Sequence, residues 1–425
     1  MKKSSGIIIS LLLIGFVSGG VFARQNITKR DIKPAQPAQP TRQVEKVGPN
    51  IQQRELQIPT VDPTKINVIK TGNFNAADRQ FQITACTMSD GNIFIGWEAF
   101  ADKAGYSYKW RAGRCSRYNT QIRQLGVDMI YTETRNSYML EGNSAVPFAN
   151  GNVLVAFDDK ETETSEKGRF VLLSPEMSVL KGPVTFCQGR AGSVSAASML
   201  DGDAALIAYS DSSSETYQGK FLIVNSNGDI ITQPKAFTFK GDVTNVCAGT
   251  TWNGKAFIAY NCGEDGSLSI EVNVLGNLSR NIRPIWNYRK LTALAVCPLS
   301  NKNTLVLGNW NNSAQCLPVG PDGKPAGDFQ SFNPQQVSDI QATLLSNDNV
   351  FISFITPDEK VMSVVVDSAG KLIKGPIETC ESFSVQPGLG LIAQTKIQND
   401  MVLVINHGYR KEPTEESITK WMVLK

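Results

Sequence analysis

Apolar and polar positions alternate in short blocks along most of this chain. Residues 148–186 show the pattern most clearly. A turn, Asn150-Gly151-Asn152, precedes an apolar run, Val153-Leu154-Val155-Ala156-Phe157, which breaks off at Asp158-Asp159. A polar stretch leads to a second run, Phe170-Val171-Leu172-Leu173, and a further turn leads to Lys181-Gly182-Pro183-Val184. Short apolar runs bounded by turn residues predict strands, and few windows carry a helical period.

The same grammar recurs about seven times. Apolar runs begin near Ile93, Val153, Ala205, Ala256, Thr304, Val350 and Met401, at gaps of 60, 52, 51, 48, 46 and 51 residues. A strand-rich unit repeating every ~40–50 residues predicts the blades of a propeller. Most runs place a small residue fourth and an aromatic fifth: Gly96-Trp97, Ala156-Phe157, Ala208-Tyr209, Ala259-Tyr260 and Ser353-Phe354. The small residue lets a neighbouring sheet approach, and the aromatic fills the space between blades. The strand before each run is rich in small residues, as in Ser193-Val194-Ser195-Ala196-Ala197, which suits the crowded centre of a ring. The strands after it are joined by glycine turns such as Asn227-Gly228-Asp229, Asp322-Gly323-Lys324 and Ala369-Gly370-Lys371. Lys-Gly-Pro at Lys181 and Lys374 then marks an outermost strand, because proline belongs at a sheet edge.

The last repeat ends at Trp421-Met422-Val423-Leu424 and lacks a fourth strand, whereas residues 66–73 have no repeat of their own before them. These residues are expected to complete the last blade, so that hydrogen bonds between the two ends close the ring. The expected fold is all-β: a seven-bladed β-propeller of four-stranded antiparallel blades over residues 61–425.

The N-terminus reads as an address. Lys2 and Lys3 precede an apolar stretch, residues 6–17, and Val21-Phe22-Ala23 offers a cleavage site, so residues 1–23 form a signal peptide of bacterial style. No later apolar run is long enough to span a membrane, and the mature chain is expected in the periplasm or outside the cell. Residues 24–60, punctuated by Pro34, Pro37, Pro40 and Pro49 and carrying several Arg and Lys, read as a basic Pro/Gln-rich linker, a disordered spacer. The formal charge of +3 falls to +1 without Lys2 and Lys3, which leaves no electrostatic footprint for nucleic acid. Eight cysteines in an exported chain permit disulfides, with buried free thiols as the alternative. Cys187 and Cys380 hold the same place in two distant repeats and are not expected to bond to each other. Without a Cys-x-x-Cys pair, neither a zinc ribbon nor a thioredoxin-like site is expected. On its period and strand grammar the chain resembles the exported seven-bladed β-propellers as a group, a resemblance that implies fold and no particular activity. The Gly-His and Trp-Asp signature of WD40 repeats is absent, as is the Ser-x-Asp-x-Gly-x-x-Trp box of sialidase-like propellers.

Candidate chemistry is sparse. A Ser-His-Asp or Cys-His device would have to use His407, the sole histidine, and a multi-histidine metal site is out of reach. His407 falls just after the last apolar run, where a loop-packing role is the ordinary one. Gly388-Leu389-Gly390 has no helix behind it, so no dinucleotide site follows. Loops on one face carry Glu98, Asp158, Asp159, Asp211, Glu264, Asp265, Trp310, Asp358, Glu359, Tyr409 and Arg410, either a solvated acidic rim or the source of a glycosidase carboxylate pair. The first repeat interleaves Tyr106, Tyr108, Trp110, Arg111, Arg114, Arg117 and Tyr118, which suits sugar stacking or a protein contact as well as core packing. The expectation is a module that binds a glycan or a protein partner through one face, without cofactor or metal. Its candidate residues are Trp97, Tyr108, Trp110, Arg111, Arg114, Asp158, Asp159, Trp310, His407 and Tyr409. The alternatives are a glycoside hydrolase or polysaccharide lyase using the loop carboxylates, and a structural scaffold of the cell envelope.

Overall fold

The computed structural model describes residues 64–74, 79–102, 109–134, 140–160, 166–213, 216–238, 242–251, 253–263, 265–279, 283–287, 291–380, 392–410 and 416–425. All belong to one unit, Gln57–Lys425. They form seven sheets of four antiparallel strands, and their only helical turns are Leu200–Gly202 and Gln398–Asp400. Blade 2 shows the plan: Leu140–Pro147 is innermost, then Val153–Lys160 and Glu166–Leu173, with Val179–Cys187 at the edge. The seven inner strands touch in cyclic order, from Arg79–Thr87 round to Ile392–Lys396 and back, so the sheets close into a ring. The expected seven-bladed propeller is what the chain builds.

Closure follows the expected route. Blade 7 takes Ile392–Lys396, Val402–Arg410 and Glu416–Leu424 from the C-terminus and its outer strand, Val68–Phe74, from the N-terminus. Val68 lies opposite Leu424 and Phe74 opposite Thr419. Asn67 and Lys425 exchange both backbone hydrogen bonds, at 2.8 and 2.9 Å.

Four of the blade junctions are glued by an aromatic of the second strand that meets an aromatic from the outer edge of the blade before. Tyr131 meets Phe157, Phe186 meets Tyr209, Phe237 meets Tyr260 and Phe332 meets Phe354, with ring centroids 4.8–5.7 Å apart. Such tilted pairs add about 0.5–1.5 kcal/mol each beyond the area they bury. Three of the outer aromatics lie over a glycine of the adjoining strand: Tyr131 over Gly113, Phe186 over Gly168 and Phe237 over Gly219, where any Cβ would enter the ring. At the closure, Phe74 lies edge-on to Tyr118 of blade 1 at 5.4 Å and packs against Trp421.

Hydroxyls sew the inner strands together. The Ala145, Ala196 and Ala248 amides donate to the side-chain oxygens of Thr84, Ser144 and Ser195 on the preceding blade, at 2.9–3.1 Å. Six inner strands also carry a register irregularity at the same level, beside Gln82, Asn143, Ser193, Asn245, Ala293 and Asp339.

Candidate functional site

The two faces of the ring differ in how the chain turns. On one face lie the tight turns between first and second strands and between third and fourth strands. Their Asn and Asp side chains close the turns locally: the Asn92, Asn152, Lys255, Asn303 and Asn349 amides donate to the side-chain oxygens of Asp90, Asn150, Asn253, Asn301 and Asn347. Neighbouring turns then bond to one another. Ala149 N donates to Gly202 O, Leu200 N to Gly254 O, and Ser346 N to the Asp400 carboxylate, at 2.8–3.1 Å. Here the backbone is committed to the protein itself.

The opposite face carries the second-to-third hairpins and the connectors between blades. Its hairpins range from the two residues Asn311 and Asn312 to the six between Asp102 and Lys109, and the connector from Cys380 to Ile392 has eleven. Variation on a rigid frame is where recognition residues collect.

Four of the carboxylates read from the sequence as rim residues, Glu98, Asp158, Asp159 and Asp211, are buried in the ring, whereas Asp265 and Asp358 are exposed. The second strand of blade 2 continues to Lys160, three residues past Phe157 where apolar character stops, so Asp158 and Asp159 are part of the ladder, opposite Gly168 and Lys167. Adjacent strand residues point to opposite sides. Asp158, 2% exposed, accepts the Ala191 amide at the entrance to blade 3 (3.1 Å), and Asp159, 1% exposed, pairs with Arg169. Glu98 is buried as well. Asp211 receives Lys220 at 2.6 Å, the Ser213 amide and the Cys187 thiol. Burial alone would push its carboxyl up, but these donors hold it below the usual carboxylate range. Two asparagines do the work of Asp158 in other blades. Asn261 clasps the backbone of Leu291, and Asn309 that of Val337, each as both donor and acceptor. Asp158, Asn261 and Asn309 stand one place after the fifth residue of their apolar runs, and that recurrence is the sequence signal for this clip.

His407 is inside strand Val402–Arg410 rather than in a loop. It has no exposed surface, its Nδ1 sits 3.0 Å from Thr419 Oγ1, and burial pulls its pKa down to about 4. Trp97 is buried in the packing between blades 7 and 1, with Arg114 opposite it on the next strand. Arg117 pairs with Asp90. Trp110 and Arg111 are in the third strand of blade 1, Lys109–Tyr118, and Tyr409 is in the second strand of blade 7; their side chains, and all of Tyr108, fall outside the described residues. The same holds for Glu264 and for Gly388-Leu389-Gly390. Trp310 alone among the aromatic candidates is described and only partly buried, at the end of the second strand of blade 5.

Among the described residues no group of His, Cys, Asp and Glu could hold a metal ion. The disulfides that the even cysteine count permitted are not formed by the seven cysteines described, all of which are free. The registers show why: Cys86 faces Phe94, Cys115 faces Gly96, Cys247 faces Ala259 and Cys262 faces Val243, so no thiol stands across from another. Cys187 and Cys380 do end equivalent outer strands, in blades 2 and 6.

No protein-family model matches the chain, and no curated protein sequence matches it either. Ring, blade plan and closure define a seven-bladed propeller, and solved structures share that architecture. One is a protein of unknown function from Dyadobacter fermentans, with a TM-score of 0.51 and 9% identity over 86% of this chain and 100% of its own. Another is the BP39L lectin from Burkholderia pseudomallei, with a TM-score of 0.56 and 12% identity over 81% of this chain and 96% of its own. At such identities the likeness is one of fold.

Proposed function

We propose that this chain is an exported module that binds a carbohydrate through the connector face. The observation that carries the reading is the contrast between the faces: one has its turns bonded to each other, while the other presents connectors of two to eleven residues on a closed, rigid ring. A ring of this fold serves as a lectin in BP39L, which favours a glycan over other ligands. The partly buried Trp310 supports the same ligand class, since a sugar stacks its C–H face on the open face of an aromatic ring. A hydrolase would need a carboxyl pair facing one open cleft. Glu98, Asp158 and Asp159 are instead buried, and Asp158 and Asp159 are held by partners within the ring. Export rests on the basic start, the apolar stretch and the Val21-Phe22-Ala23 site.

The test is to apply residues 24–425 to an array of immobilised oligosaccharides and then to assay the bound glycans for cleavage. Retention without turnover is expected. Turnover that a single carboxylate substitution abolishes would replace this reading with the hydrolase. An empty array, with a protein recovered by pull-down instead, would replace it with the scaffold.

A further inference from the structure

Blade 5 is described throughout its connector-face corner, and that corner has an unusual chemistry. Its hairpin turns on Asn311 and Asn312, both in the left-handed region (φ 47 and 64) and both exposed. Asparagine is among the few residues that adopt this conformation readily. The hairpin begins at Trp310, whose ring is stacked on Phe329 with centroids 5.2 Å apart and planes 28° apart. Ser313 Oγ donates to the Trp310 carbonyl at 3.0 Å, and Gln315 Nε2 donates to Ser313 Oγ at 2.8 Å. The outer strand Gln330–Asn333 lies alongside, with Ser331 opposite Gln315. From the connector beyond it, Gln336 Nε2 donates to Asn312 Oδ1 at 3.2 Å, and Gln335 is exposed next to it.

Charge is missing here. Segments 308–317 and 329–338 hold no Asp, Glu, Lys or Arg, in a chain that is 19% charged. Blade 1 is the contrast, since its third strand carries Arg111, Arg114 and Arg117. An anionic ligand would need a cationic partner, which these two segments do not supply, and the residues that bound the second segment, Asp328 and Asp339, are themselves acidic. A ligand rich in hydroxyls needs amides that both donate and accept, together with a flat apolar platform, and this corner supplies both.

We propose that this corner of blade 5 is a subsite for an uncharged sugar residue. Trp310, held flat by Phe329, lies under the C–H face of the sugar, and the amides of Asn312 and Gln336 meet its hydroxyls. The proposal rests on the carbohydrate reading above and adds to it the place and the class of sugar.

The experiment uses residues 24–425 on an array carrying neutral, sialylated and uronate oligosaccharides, with melting curves recorded for each variant. Trp310→Ala should weaken binding to neutral glycans about tenfold or more, and Trp310→Phe should restore part of it. The double variant Asn312→Gly/Gln336→Ala removes only exposed side chains, leaves the left-handed turn intact and should also weaken binding, which keeps the test decisive if Trp310→Ala does not fold. Neutral glycans bound equally by wild type and both variants would overturn the subsite and leave the carbohydrate reading standing. Binding confined to sialylated or uronate glycans would overturn the uncharged class. A wild-type chain that retains no glycan would overturn both readings.

Discussion

His407 is a titratable ring with no contact with solvent, and its burial has a direct thermodynamic consequence. Its pKa in the folded chain is about 4, against an ordinary value of 6.5. Above pH 6.5 the imidazole is neutral in both states and has no effect on the balance. Between pH 6.5 and 4 the unfolded chain takes up a proton that the folded chain refuses, so stability falls as the medium is acidified, by about 3 kcal/mol in all. His407→Gln should therefore lose less Tm than the wild type between pH 7 and pH 4; parallel losses would show that other groups govern acid stability. The residue also shows where sequence reading reached its limit. Apolar character stops at Ile405, as it does at Phe157 in blade 2, and a strand seems to end there only because its next residues are polar. The ladder runs on to Arg410 and to Lys160, and the side chains of Asp158, Asp159 and His407 along it bond inside the ring. Asp158 and Asp159 were legible as residues at a loop boundary, not as buried partners of Ala191 and Arg169. The glycine seats at Gly113, Gly168 and Gly219 were invisible for a related reason. Each is explained by an aromatic on the neighbouring strand, and local pattern does not report such a pairing.

Among elements, the strand Val68–Phe74 bears most on the whole. It supplies the outer edge of blade 7, seats Gly72 against Trp421, sets Phe74 on Tyr118, and sends Lys70 Nζ to the Gln121 carbonyl at 2.8 Å. It thus ties the last blade to the first as well as finishing a sheet. Deleting residues 65–73 should lower Tm by about 10 °C or more, with calorimetry as the measurement; an unchanged melting curve would mean the ring is held shut by its inner strands alone. This element was legible from the sequence, because a missing fourth strand at one end and an unclaimed strand at the other leave one solution. The Trp310 hairpin was legible only as an aromatic at a strand end. What surrounds it, Asn312 and Gln336 at 3.2 Å, depends on a contact between hairpin and connector across 24 positions of sequence.

For the molecule as a circuit, no blade can leave without breaking contacts on both sides, so its interior should open all at once. Cys86, Cys115, Cys187, Cys262, Cys297 and Cys316 are buried, and burial pushes the thiols of Cys187 and Cys297 up to about 12, which keeps them protonated and unreactive. An aromatic disulfide reagent should therefore titrate no more than two of the eight thiols rapidly under native conditions: the half-buried Cys247, and Cys380, whose side chain falls outside the described residues. Rapid reaction of four or more would show that blades breathe singly. The seven sectors could be counted from the sequence because a period repeats its message, whereas a site is written once. The same circuit also sets a timetable for synthesis. Val68 pairs with Leu424, 356 positions later. A ribosome makes the first member of that pair hundreds of residues before the second, so the ring cannot lock until the strand Glu416–Leu424 has emerged. A stop codon placed ahead of Glu416–Leu424 would leave Val68–Phe74 with no strand to latch onto, and the apolar faces of the unfinished ring would stay open to water.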